Sequence, residues 1–336
     1  MQPDAVIDRI AAAYGLCLVS LDGVTGGADS AATLWRGTAA DGGAYAVKLS
    51  RVDLAVGLAV TAALADRKVP GVPTPLTTVD GRLWTGLSGA QLSVVPWLSG
   101  RAAVAGGLDP VQWRSFGALL AGVHAAAVPA EVRELLPTED YQPLAAPAVR
   151  VLGDRLGTGR AGGTGEDEPA RELVAAWRAA ADRIAVLPAA VEELGTGLRA
   201  TPAPPVLCHG DAHTANLLVA DTGDLWLLDW DGAVLAPRER DLMFVVEGVL
   251  ADALVSPAQQ AHFFAGYGRH EIDPVHLAYY RCAWALEDLA GFAHEILDDP
   301  TRTPAQRVQA LRYFRSLLTP TGIVSLAERS LRGLGR

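Results

Sequence analysis

The chain is short of cysteine and of basic charge, and it has no long apolar run. Each shortage excludes something. Its three cysteines, Cys17, Cys208 and Cys282, form no Cys-x-x-Cys pair and leave one thiol over under any bridging, as expected of a reduced cytoplasmic protein rather than a disulfide-held secreted one. Lys and Arg number 28 against 38 Asp and Glu, a formal net charge of −10 at pH 7. Nucleic acid is bound through basic surfaces, so it is not an expected partner. The same negative field favours cationic ligands. No stretch approaches the roughly 20 apolar residues of a membrane-spanning helix, and Met1–Leu16, with acids at Asp4 and Asp8, lacks a signal-peptide core. The expectation is a soluble cytoplasmic protein with no membrane partner, either a monomer or a homodimer. Half of the 336 residues are hydrophobic, enough for one large core or two lobes.

What is present is concentrated between Val206 and Asp241, where His209, Asp211, Asn216, Asp229, Asp231 and Asp241 stand at fixed offsets between short apolar segments. Val206–Cys208 reads as a buried strand, and His209-Gly210-Asp211 as the turn at its end. Leu217–Val219, the turn Asp221–Asp224 and Leu225–Leu228 read as a β-hairpin that returns Asp229 to the side of Asn216. One loop then presents a carboxylate base and two oxygen ligands of the kind Mg²⁺ prefers. Phosphoryl transfer needs those parts, and Asp211-x-x-x-x-Asn216 followed by Asp229 matches the protein-kinase order. His209-x-Asp211-x-His213 would also suit a zinc hydrolase, but the downstream Asn and Asp-Trp-Asp fit the kinase order better. Asp231 reads either as a support to the metal residues or as a turn residue.

Ahead of this stretch, Tyr45–Leu49 reads as a strand carrying Lys48 in an apolar setting, preceded by strands at Leu16–Leu21 and Ala31–Trp35 around the glycine turn Thr25–Ser30. Gly26 and Gly27 would let backbone N–H groups approach phosphates, Ser30 would cap one, and Lys48 would contact the α- and β-phosphates. The following helix, Asp53–Asp66, holds no Glu to pair with that Lys. Either Asp53 takes the role, or Asp229 and the phosphates hold Lys48 directly.

The H-G-D-x-x-x-x-N loop and the D-W-D segment resemble the aminoglycoside phosphotransferase family, small-molecule relatives of protein kinases. Leu235–Phe244 and the Gly-Gly-Ala-Asp run are similar to its spectinomycin phosphotransferase branch. The resemblance implies an α+β, protein-kinase-like bilobal fold: a β-rich N-lobe over residues 1–98 with one main helix, and a mostly helical C-lobe over 99–336. It implies an ATP-dependent (or GTP-dependent) O-phosphotransferase using Mg²⁺, acting on a hydroxyl of a small cationic aminocyclitol or aminoglycoside such as spectinomycin. By resemblance Asp211 is the catalytic base, Asn216 and Asp229 bind metal, Asp241 braces the catalytic loop, and His209 is structural. Residues 96–100 resemble the interlobe hinge. Pro96 has no N–H, so Val95 or Trp97 would supply a donor to adenine, and Trp97 reads equally as core. Acidic residues of the late helices would hold substrate amines, here Glu287, Asp288 and Glu295; the same acids also read as a solvated face with Arg281 paired to Asp288. Two rivals stay open: a kinase of an amino alcohol or sugar, and a nucleotide-binding pseudokinase suggested by the missing helix Glu.

Outside the site, the residues predict a hairpin over Leu76–Thr85 around Asp80-Gly81, helices over Trp113–Ala126, Leu242–Leu254, Pro257–Tyr267 and Pro274–Leu297, a surface insert over Gly153–Pro169, and a basic helix end or frayed tail at the C-terminus.

Overall fold

A computed structural model describes residues 3–24, 32–157 and 167–335. The chain divides into two compact units, one of residues 1–138, 206–235 and 261–268, the other of 139–205, 236–260 and 269–336.

The first unit opens with helix α1 (Pro3–Tyr14) and strands β1 (Leu18–Gly23), β2 (Ala32–Ala39) and β3 (Ala44–Ser50), then helix α2 (Ala55–Asp66), β4 (Thr85–Leu87) and β5 (Ala90–Pro96). These strands form one antiparallel sheet in the order β1-β2-β3-β5-β4. Alternation along β3 drives the packing. Val47 and Leu49 join Val6 and Ile10 of α1 with Leu18, Trp35, Leu92 and Val94 in a buried core, which directs Lys48 to the opposite face. Lys48 sits mid-sheet, opposite Leu34 on one side and Ser93 on the other.

The hairpin expected over Leu76–Thr85 is corrected. Thr78 and Arg82 close a hydrogen-bonded turn there without strands, and the hairpin forms one segment later between β4 and β5. Ser88 and Gly89 supply the two positive φ angles, 51° and 76°, that a two-residue turn requires.

The unit continues with β6 (Gly100–Ala102) and a helix over Pro110–Ala125, whose Asp109 and Gln112 form a capping box. Then come β7 (Val206–Cys208), β8 (Leu217–Ala220), β9 (Leu225–Leu227) and β10 (Val234–Ala236). β8 and β9 pair with Leu217 opposite Leu227, and β6 adds to the outer side of β8.

The second unit is helical: Ala146–Gly157, Glu168–Ala179, Ala181–Ala185, Leu187–Ala200, Glu239–Leu242, Pro274–Leu297, Pro304–Leu317 and Ile323–Gly333. The 24-residue helix Pro274–Leu297, capped by the Asp273 side chain, is its centre and buries Leu277, Tyr280, Leu286, Leu289 and Ile296. Two expectations are corrected in this unit. Gly153–Gly157 continues a helix rather than a loop. The helix expected over Leu242–Leu254 ends at Leu242, and it cannot resume through Glu247 and Gly248, which take φ of 65° and 74°, outside the helical range. Of the two readings of the C-terminal segment, the helix end holds: Ile323–Gly333 is a helix that buries Ile323, Val324, Leu326, Ala327 and Leu331. No helix among the described residues is long and apolar enough to cross a membrane.

Candidate active site

β7 delivers the chain to His209, and Gly210 turns it with φ +82°. An ideal Cβ at Gly210 would lie 2.1 Å from the Gly232 carbonyl oxygen, so only glycine lets this loop press so closely on the turn beyond β9. His209, fully buried, fastens the two together. Its Nε2 lies 2.9 Å from the Leu228 oxygen, while Nδ1 accepts the Asp211 N–H at 3.2 Å. A ring that accepts at Nδ1 and faces a carbonyl at Nε2 is the neutral Nε2–H tautomer. Its edge rests against Trp230, ring centres 4.6 Å apart.

That clamp sets Asp211. The Asn216 amide nitrogen donates to the Asp211 backbone oxygen at 2.9 Å and to its Oδ2 at 2.8 Å. Oδ1 is buried and accepts no hydrogen bond from the described residues, although His213 Nε2 stands 3.2 Å away. Burial raises the Asp211 carboxyl above the usual range; His213 and the Asn216 amide pull against that, and Asp229 adds to it. A sheltered carboxylate with an open lone pair is equipped to take a proton from a hydroxyl.

The hairpin brings the second carboxylate into place. Leu228 N–H donates to the Asn216 oxygen at 2.8 Å, which holds Asp229 beside Asn216. Asp229 has φ +63° and ψ 71°, an uncommon conformation for a non-glycine residue and one found at functional sites. Lys48 Nζ reaches the same place, 3.3 Å from Asp229 Oδ1 and 2.6 Å from Asp231 Oδ2. Burial would lower the Lys48 ammonium; Asp229 and Asp231 together outweigh it and raise the pKa. The amide of Asn216 gives its nitrogen to Asp211 and keeps Oδ1 as its remaining ligand atom. With the carboxylates of Asp229 and Asp231 it makes a set of hard oxygen donors without thiol or ring nitrogen, which fits Mg²⁺ and not a zinc site.

The structure thus brings together Lys48, His209, Asp211, Asn216, Asp229 and Asp231. Asp53 is elsewhere: its carboxylate accepts from Ala55 N–H and from the Gln91 amide. Gly26, Gly27 and Ser30 lie outside the described residues. Val95 is paired with Ala46 in the sheet. The expectation of Trp97 as an open backbone donor is corrected, since its N–H donates to the Ala44 oxygen at 2.9 Å and its ring lies 5.5 Å from the Arg36 guanidinium. Asp241 is fully buried in the short helix Glu239–Leu242 of the second unit.

The three late-helix acids differ from one another. Glu295 is ion-paired with Arg302 at 2.7 Å. Glu287 is open to solvent on one side but crowded by protein on the others; burial raises its carboxyl, Arg240 opposes this and Glu139 adds to it. Asp288 is half-buried, and Arg281 does not need it: that guanidinium reaches Glu247, Ser330 and the Val246 oxygen instead. Two members of the Glu287 surroundings escaped the sequence reading. Glu139, raised by burial, accepts the Tyr141 N–H at 2.7 Å. The Arg240 guanidinium covers Tyr280 and Trp284 at 5.8 and 5.5 Å. Glu139 lies in a proline-rich stretch with no periodic pattern, so only its tertiary neighbours disclose it.

A sheltered Asp, an Asn and a second Asp at the end of a hairpin, and a Lys on a sheet are the residue types, in the order, of a kinase-type phosphoryl-transfer site. The chain belongs to the phosphotransferase enzyme family, whose model matches residues 20–284, and it is an O-phosphotransferase. Its fold is similar to that of spectinomycin phosphotransferase APH(9)-Ia, solved with ADP and spectinomycin, at 25% identity over 99% of each chain and a TM-score of 0.88. It also resembles an aminoglycoside phosphotransferase from Alicyclobacillus acidocaldarius, at 17% identity over 99% and 97% of the two chains with a TM-score of 0.58. A third likeness is to the amicoumacin kinase hAmiN, solved with AMP-PNP, Ca²⁺ and Ami, at 16% identity over 97% of each chain with a TM-score of 0.63. No curated protein matches the sequence. The likeness bears out the expected kinase-like α+β fold, with a β-sheet in the N-terminal part and helices in the C-terminal part.

Proposed function

We propose that this enzyme transfers the γ-phosphoryl group of ATP to a hydroxyl of a small cationic aminocyclitol, with spectinomycin as the leading candidate. The observation that carries the reading is the convergence of Lys48, Asp211, Asn216 and Asp229 around one hairpin, in the order and chemistry of phosphoryl transfer. Asp211 orients the acceptor hydroxyl and takes its proton. His209 holds the loop in register and His213 balances the charge that Asp211 retains. Asn216 and Asp229 would hold a divalent cation, which when bound screens the charge of the triphosphate. Lys48 contributes a positive charge to the α- and β-phosphates, and Val95 marks the strand end along which adenine would lie. Glu287, Asp288 and the newly found Glu139 give the second unit the negative charge that an amine-bearing acceptor needs, whereas the charge of Glu295 is already taken up by Arg302. The net charge of −10 and the likeness to a spectinomycin-bound phosphotransferase support the choice of a cationic acceptor.

The test is a panel of spectinomycin, other aminoglycosides, amino alcohols and sugars incubated with Mg²⁺ and ATP, read by mass spectrometry. Gain of one phosphoryl group on spectinomycin, lost in Asp211→Ala, is the expected result. Turnover confined to an amino alcohol or sugar, or no turnover with any acceptor, would overturn it.

A further inference from the structure

Kinase-type sites usually pair the phosphate-binding Lys with a Glu from the neighbouring helix, and here that helix is unable to provide one. The only carboxylate in α2 is Asp66, at its last residue and exposed. The helix also lies too close for a side chain to intervene. An ideal Cβ at Gly57 would stand 2.9 Å from the Trp230 oxygen and 3.3 Å from the Asp231 nitrogen, so α2 meets the turn Trp230–Gly232 as bare backbone. The carboxylates on Lys48 come from that turn and from the residue before it: Asp231 Oδ2 at 2.6 Å and Asp229 Oδ1 at 3.3 Å.

We infer that Asp231 is the positioning residue that replaces the helix carboxylate, and that the Lys48 ammonium acts as a bolt on the cation site until a polyphosphate arrives. The inference rests on the reading of Asp229 as a metal ligand. The charge balance supplies the reason. Asp229 and Asp231 alone would present two negative charges to a divalent cation; with Lys48 between them they present one, and the ammonium holds one of the ligand oxygens. A bare cation therefore competes with Lys48 for Asp229. A nucleotide triphosphate brings its own negative oxygens, which give Lys48 an alternative partner and the cation additional ligands. Metal and nucleotide then enter together, and the nucleotide-free enzyme holds divalent cations weakly.

The experiment is a Mn²⁺ titration of the nucleotide-free protein, followed by electron paramagnetic resonance of the free ion. Wild type and Lys48→Arg, which keep the positive charge, should bind Mn²⁺ weakly. Lys48→Met should bind it at least tenfold more tightly. Asp231→Asn, which leaves Asp229 as the sole carboxylate for Lys48, should bind it no better than wild type and should raise the ATP KM several-fold. Thermal midpoints check that each variant is folded, and the neutral Lys48→Gln serves if Lys48→Met is not. Equal Mn²⁺ affinity in wild type and Lys48→Met, or an Asp231→Asn variant with unchanged ATP KM, would overturn the inference. Because the titration needs no acceptor, it can fail while spectinomycin is still phosphorylated. Conversely, absence of Mn²⁺ binding to every variant, even with a non-hydrolysable ATP analogue, would instead remove the metal assignment itself.

Discussion

Replacing Gly210 by Ala probes how closely the catalytic loop must pack. The added Cβ would fall 2.1 Å from the Gly232 oxygen, where real contacts do not come under 3.0 Å, so the two backbones must part by about 1 Å (3.0 less 2.1). A φ of +82° adds roughly 1–2 kcal/mol for an L-residue, and loosening the His209–Asp211 hydrogen bond adds about 1 kcal/mol. The expected loss is therefore about 2–3 kcal/mol, a fall of roughly 3–4 °C in thermal midpoint for a chain of 336 residues. The effect on chemistry should be larger. A displacement of about 1 Å in a catalytic group costs on the order of 100-fold in rate, so kcat should fall about 100-fold with little change in the ATP KM. A coupled ADP-release assay with spectinomycin and scanning fluorimetry measure the two. Gly197→Ala is the control, since a Cβ there meets nothing within 4 Å and the residue is inside the helix Leu187–Ala200; it should gain roughly 0.5–1 kcal/mol. A Gly210→Ala enzyme with wild-type midpoint and kcat would refute the packing argument.

Three further expectations follow from the same geometry. Asp211 acts as a base only when ionised, and its raised pKa places the acidic fall of kcat/KM at higher pH than for an ordinary aspartate; activity appears as pH rises through that value. Asp211→Asn should remove this limb and lower kcat by roughly 10²–10⁴. Its thermal midpoint at neutral pH should not fall, because a folded-state pKa above the unfolded one means that the ionised carboxylate costs stability at every pH above it. Glu287→Gln and Asp288→Asn should each raise the spectinomycin KM about fivefold, on the scale of a partly exposed ion pair of ~1 kcal/mol, and spare the ATP KM. Glu295→Gln should change neither constant, as Arg302 already pairs with it; steady-state kinetics showing Glu295 dominant would reverse this ranking. Arg281→Met should cost about 2–3 kcal/mol in urea unfolding, since Ser330 and the Val246 oxygen lose a buried donor; an unchanged midpoint would show that the cluster is dispensable.

The catalytic stretch was legible in the sequence because its geometry is local. A strand, a glycine turn and a hairpin fix Asp211, Asn216 and Asp229 within about twenty residues, and turn chemistry together with period-two alternation determines such arrangements. Lys48 was legible for a similar reason: one polar residue between Val47 and Leu49 has to face away from the core. Asp229 stood among the partners read for that Lys and lies 3.3 Å from it, whereas the nearer partner, Asp231 at 2.6 Å, was not read as one. Asp231 could be read as a turn residue, and only the approach of α2 at Gly57 shows why a carboxylate has to come from the turn. Ser88-Gly89 is a weaker turn signal than Asp80-Gly81, so the hairpin was expected one segment too early. The helix that was expected to run through Glu247 ends at Leu242, and Glu247 is instead ion-paired with Arg281 far along the chain, a contact that leaves no local trace. Glu139 and Arg240 likewise depend on contacts between segments far apart in the chain.

The β8–β9 hairpin is anchored at its base by Leu217 opposite Leu227 and by Leu228 on Asn216, whereas its tip, Asp221 to Asp224, is exposed. The base has no tolerance for altered length, while the tip has considerable freedom. New chain ends could be opened there, or a guest peptide or fluorescent reporter grafted in, without shifting the phase of the ladder. The same asymmetry would let natural variants lengthen this ribbon outward and inherit the chemistry intact.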